Sequence, residues 1–169
     1  MPKSGKGAVA LALLLILVLG LSQARAWEHI QYLKEVERKV TQLTNEVRRD
    51  QHLMPLERDI TLIDIARAHS DDMLKRNYFS HVSPDGKVIQ DRIVPAYSRT
   101  LSRAGENIWS GHGFDYSDSK LLARVIVDSW ITSPGHRANL LNPNYTHLGV
   151  GVSVLGRDIR ATQNFVQRR

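Results

Sequence analysis

The segment Ser129–Gly149, SWITSPGHRANLLNPNYTHLG, constrains the fold most, because the side-chain period changes across it. Before it, Leu121, Leu122, Val125, Ile126 and Trp130 recur at helical spacing, and Pro134-Gly135 stops the pattern just before His136. After it, Val150, Val152 and Val154 alternate with Gly149, Gly151 and Ser153, the pattern of a strand with one apolar face and one small-residue face. The spacing therefore predicts a helix, a loop and a strand, with His136 displayed at the helix-to-loop junction, where reactive side chains are common.

The first residues read as a leader. Lys3 and Lys6 precede an apolar run, Ala8 to Leu21, and Ala24-Arg25-Ala26 has the small-x-small form of a cleavage site. Cleavage after Ala26 is expected, since about fourteen apolar residues fall short of the roughly 18–20 that span a bilayer. Removing Lys3, Lys6 and Arg25 halves the formal charge of +6. The remaining basic residues are scattered among acids, as in Glu35, Glu37, Arg38 and Lys39, so no nucleic-acid surface is expected. The chain has no cysteine, which excludes a lipidated-cysteine anchor and leaves packing alone to hold an exported, monomeric domain.

From Trp27 to about Gln51 an amphipathic helix is expected, with Ile30, Leu33, Val36, Val40, Leu43 and Val47 on one face and Glu46, Arg48 and Arg49 on the other. Residues 27–39 read as an N-terminal helical extension of a domain over 40–169. A second helix runs from Leu62 to about Arg76, capped by Asp59 or Thr61. It carries His69 on an apolar stripe, as a core residue, and Asp64, Asp71 and Asp72 on its wet surface. Tyr78 to Gly86 places His81 in a short loop before a Pro-Asp-Gly turn. Asp91-Arg92-Ile93 reads as the ion-paired start of a short helix, and Pro95 to Arg103 as loop. Gly105 to Trp109 reads as a short strand whose one acid, Glu106, needs a partner if buried. Ser110 to Ser119 reads as loop, with His112 exposed and Ser117 or Ser119 capping the next helix. Gly156-Arg157-Asp158 turns the Gly149–Leu155 strand into Ile159–Val166, an antiparallel hairpin in which Gln163 and Phe165 oppose Asn164 and Val166.

Taken in order, Asn45-x-x-Arg48, Pro55-Leu56, Ala66-Arg67-x-His69-Ser70-x-x-Met73, Phe79-Ser80-His81, Gly105-Glu106-Asn107-Ile108, Trp130-x-x-Ser133-Pro134-Gly135-His136-Arg137-x-Asn139, Gly149-Val150-Gly151 and Gln163-Asn164-Phe165 resemble the CAP superfamily, the cysteine-rich secretory, antigen 5 and pathogenesis-related 1 proteins with their SCP domain. The SPGHRANLL wording and the lack of cysteine resemble its bacterial branch. The resemblance implies an α/β/α three-layer sandwich with a central, mainly antiparallel sheet. It also implies a cleft lined by His81, Glu106 and His136, with Ser133 and Asn139 beside them. Ser133 stands where the eukaryotic motif has a second acid, which weakens carboxylate-pair catalysis.

Three functions are open at this level. The first is a secreted or periplasmic binding module whose cleft takes a lipid, a glycan or a partner protein, with or without a divalent metal. The second is a hydrolase in which His81 and His136 hold zinc and Glu106 acts as base. The third is a structural protein in which Glu106 accepts from one or both imidazoles and raises their pKa. The binding module is favoured over the enzyme. Nucleophile motifs are absent, with no G-x-S-x-G sequence and no cysteine.

Overall fold

The computed structural model describes residues 5–97, 100–113 and 118–168, with the backbone alone for 5–19. Helix α1 covers Gly5–Asp50. It begins well before the expected Trp27, because Ala- and Leu-rich sequence propagates helix without interruption. The chain divides into a unit ending at Tyr32 and a second unit, Leu33–Arg169. In the first, Leu21, Trp27 and Ile30 are exposed. Among the described residues, no helix is long and apolar enough to cross a membrane.

The second unit contains β1 (Glu57–Arg58), α2 (Ile60–Lys75), α3 (Ile89–Tyr97), β2 (Leu101–His112), α4 (Ser119–Thr132), α5 (Pro134–Leu140), β3 (His147–Leu155) and β4 (Asp158–Arg168). The four strands form one sheet in the order β1-β3-β4-β2, parallel only between β1 and β3. The α/β/α arrangement follows from adjacent residues of β4. The Thr162 hydroxyl accepts from Ser70 of α2, whereas Gln163 donates to Thr44 of α1. Successive strand residues point to opposite faces, so α1 and α2 cover opposite sides of the sheet.

Glycine allows the α2 layer to approach closely. A Cβ at Gly151 would lie 2.0 Å from the Arg67 amide nitrogen, and one at Gly149 would lie 2.3 Å from the Leu62 carbonyl carbon. The small-residue face of β3 is thus the seat of α2, and Val150 and Val152 are buried on the other face. Beneath α3, Leu62, Ile89, Ile93, Tyr97 and Val166 form a closed apolar cluster. That burial explains why α3 continues through Pro95 to Tyr97, where a loop was expected. Pro95 removes one backbone donor, and the helix ends two residues later.

Both sheet edges are closed by side chains, which removes an aggregation hazard. Past the two-residue β1, the free Val152 amide of β3 donates to Glu37 of α1, and that carboxylate also pairs with Arg67. On the β2 edge, Trp130 Nε1 donates to the Ile108 carbonyl at 3.0 Å and Asn139 Nδ2 to the Glu106 carbonyl at 3.0 Å. Strand β2 is longer than Gly105–Trp109 and reaches His112, because β4 pairs with it along its length. The cap of α4 is Asp118, which accepts from the amides of Lys120 and Leu121. Ser119 is the first helical residue, and Ser117 lies outside the described residues.

The buried face of α1 is more polar than its pattern indicates. Glu37, Thr44 and Arg48 are each at most 1 % exposed. Arg48, expected on the wet side, donates to the carbonyls of Met54, Leu140 and Asn142 at 2.9, 2.7 and 2.9 Å. Asn45 exchanges two hydrogen bonds with the backbone of Leu56. The Asn45-x-x-Arg48 pair therefore fastens the loop after α1 and the end of α5 to the same helix.

Candidate functional site

His136 does not lie in a loop. Pro134 occupies the first turn of α5, and Ser133 both ends α4 and precedes α5, so Pro-Gly starts a new helix where it was expected to end one. His136 is half-buried, and its carbonyl accepts from Asn107 Nδ2 at 3.2 Å. Opposite it, His81 is half-exposed, with the two rings 6.4 Å apart between centroids and tilted by 53°. His81 Nδ1 meets Glu106 Oε1 at 2.8 Å.

Glu106 is fully engaged. Its side chain is 2 % exposed, and Oε2 accepts from Arg92 at 2.6 Å while Oε1 takes His81. The same Arg92 guanidinium reaches the His81 carbonyl at 3.3 and 3.4 Å and the Lys87 carbonyl at 3.1 Å. His69 stands behind, with Nε2 at 3.9 Å from Oε1. It donates through Nε2 to the Ser80 carbonyl at 3.1 Å, which fixes the loop that carries His81. Tyr78 and Asp72 continue this network through a hydroxyl-to-carboxylate bond, so Asp72 is more than wet surface.

The sequence named three of the central side chains and missed two. His81 and Glu106 are bonded and His136 faces them. Asn139 stands one step back, its amide donating to the Glu106 carbonyl and to Asn107 Oδ1, so it sets the height of β2 and has no donor left for a ligand. Ser133 sits at the α4–α5 junction, where its side chain makes no cap bond. Arg92 and His69 are the residues missed. The need of Glu106 for a partner was legible, but nothing in the sequence indicates that the partner comes from α3.

Burial holds His69 below the ordinary imidazole range despite the pull of Glu106. Burial, and then the neighbouring His81, do the same to His136. The second imidazole is therefore lowered rather than raised. With the folded-state value depressed, the unfolded chain binds more protons below the ordinary value of about 6.5, so stability is complete above that pH and is lost as pH falls below it. The thermal midpoint is expected to fall between about pH 7 and pH 5. His69→Gln, which keeps a donor for Ser80, should remove part of that slope in scanning calorimetry. An unchanged slope would assign the effect to other groups.

Among the described residues, no group of three His, Cys, Asp or Glu side chains is arranged to hold a metal ion. Glu106 does not fit as a direct ligand, since both its oxygens are taken. The two imidazoles do fit, with Glu106 as the outer carboxylate that orients one of them, an arrangement common around metal-binding histidines.

These observations define an α/β/α sandwich with a polar cluster, His81, Glu106, Arg92 and His136, between the loop before α3 and the start of α5. The chain belongs to the CAP family, described as the cysteine-rich secretory protein family, whose model matches residues 41–167. An uncharacterized Bacillus subtilis protein, YkwD, is 43 % identical over 115 residues, covering 68 % of this chain and 41 % of its own length. The crystal structure of an extracellular SCP-domain protein of Bacillus anthracis is 37 % identical with a TM-score of 0.63, covering 78 % of this chain and 40 % of that one. An outer surface protein of Borrelia burgdorferi shares the fold at 23 % identity and a TM-score of 0.68, covering 80 % of this chain and 95 % of that one. The chain spans about two-fifths of the length of the two Bacillus relatives.

Proposed function

We propose that this is an exported CAP-domain protein that acts as a binding module, its cleft taking an oxygen-bearing group of a lipid, glycan or protein ligand, with a divalent metal between His81 and His136. The observation that carries the reading is the double engagement of Glu106 by His81 and Arg92. A carboxylate held by an arginine and a histidine is poorly placed to take a proton from water, which favours binding over hydrolysis. The groups left for a ligand are the two imidazoles. With Nδ1 on Glu106, His81 has Nε2 free, and neutral imidazole nitrogens suit zinc. Bound there, zinc would supply a Lewis-acid position for the ligand's oxygen.

Export rests on the basic, apolar and small-x-small order of residues 1–26, with cleavage after Ala26 and residues 27–39 leading into the domain. The extracellular and outer-surface descriptions of the similar proteins support it.

Calorimetric titration of zinc into the metal-stripped chain tests the site. Wild type is expected to bind at one site, and His81→Ala/His136→Ala is expected to bind none while keeping its unfolding free energy within about 1 kcal/mol of wild type. Equal binding by both proteins would remove these histidines from the site.

A further inference from the structure

We infer that Arg92 is the positioning residue of the cleft, holding His81 with Nδ1 on Glu106 and Nε2 open to a ligand. The inference deepens the proposed binding role by naming what controls one of its two imidazoles. One guanidinium grips both the Glu106 carboxylate, at 2.6 Å, and the His81 carbonyl, at 3.3 and 3.4 Å. It thereby fixes the backbone of His81 and the acceptor of its ring together. Arg92 is itself anchored, since it lies on α3 between Ile89 and Ile93, both buried in the apolar cluster, and its side chain is 12 % exposed.

The groups facing Glu106 are Arg92, His81 and His69, with His136 opposite His81. His69 is occupied with the Ser80 carbonyl, so Arg92 is the residue of this set that holds both the carboxylate and the His81 backbone. Without the guanidinium, the carboxylate and the His81 carbonyl are both released, and the ring is no longer held with Nδ1 on Glu106. A neutral imidazole so released carries its hydrogen mainly on Nε2, the nitrogen farther from the backbone, and the open lone pair is lost.

Ring-nitrogen NMR of the metal-free full chain at mildly alkaline pH tests this in wild type, Arg92→Lys and Arg92→Gln. Wild type and Arg92→Lys are expected to carry the His81 hydrogen on Nδ1 alone, and Arg92→Gln to carry hydrogen on Nε2. The zinc affinity of Arg92→Gln is expected to fall by about 10–100-fold, the usual effect of losing an outer-shell partner. An Arg92→Gln ring identical to wild type overturns the inference, as does an Arg92→Lys ring that matches Arg92→Gln. If Arg92→Gln does not fold, the other two spectra decide, and hydrogen on Nε2 in either overturns it. Because the ring signature is read without metal, failure of zinc to bind would count against the proposed function and leave this inference standing.

Discussion

Arg48→Ala is expected to destabilise the fold by about 3 kcal/mol or more, enough to unfold much of the population of a marginally stable domain. The side chain is 1 % exposed and donates to three backbone carbonyls from two separate segments, Met54 on one side and Leu140 and Asn142 on the other. Burial lowers its pKa below the ordinary guanidinium value, but an arginine stays protonated throughout the accessible range. Truncation strands these acceptors at about 1–3 kcal/mol each where water cannot replace the donor, and leaves a cavity of arginine size. Arg48→Lys supplies one ammonium in place of a planar fork and is expected to recover less than half of the loss. Urea denaturation checks both variants. A midpoint for Arg48→Ala close to wild type would mean that the loop after α1 and the end of α5 are held by other contacts.

Glu106→Leu is expected to cost about 3–5 kcal/mol, because it removes one partner of a buried pair and leaves Arg92 charged. The loss should be specific to the pair. Glu106→Leu/Arg92→Met replaces both charged groups with apolar ones and is expected to regain most of the stability, since a buried ion pair and well-packed apolar residues are often nearly equivalent. His81, half-exposed, can turn to solvent in both variants. Thermal denaturation of the two variants separates the outcomes. If the double variant is no more stable than the single one, the carboxylate is needed for the β2 backbone rather than for Arg92.

The parts of this fold that were legible in the sequence are those whose signal is local. Asp59 before an apolar stripe marks the start of α2, and its side chain caps the Thr61 and Leu62 amides. Alternation marks β3 and β4, and Gly156, with φ of 62°, supplies the positive φ their hairpin turn requires. The parts that were not legible depend on partners far along the chain. Glu37 and Arg48 read as helix surface because Arg67, Val152, Leu140 and Asn142 lie 30 or more residues away. The Pro134-Gly135 pair is ambiguous in principle, since proline both ends one helix and suits the first turn of the next. The second outcome is the one adopted, with Leu140 of the new helix fully buried and its carbonyl held by Arg48.

The site shows the same division. Glu106 stood out as a lone acid in an apolar strand, and His81 and His136 as histidines at chain punctuation. Their convergence came from the family resemblance, because no spacing in the sequence brings positions 81, 106 and 136 together. His69 on its apolar stripe reads as a core residue and is buried, yet the stripe gives no sign that one ring edge comes within 3.9 Å of the Glu106 carboxylate. Asn139, grouped with the cleft by motif, belongs to the scaffold because both its donors are used on β2.

The most direct test of the account is an anomalous-difference map, recorded at the zinc edge, from crystals of the full chain grown with zinc. The account predicts a peak between the rings of His81 and His136, with Glu106 still bonded to His81 Nδ1 and Arg92 and not touching the metal. A peak on Glu106 itself, or zinc bound elsewhere with none between the two rings, would contradict it.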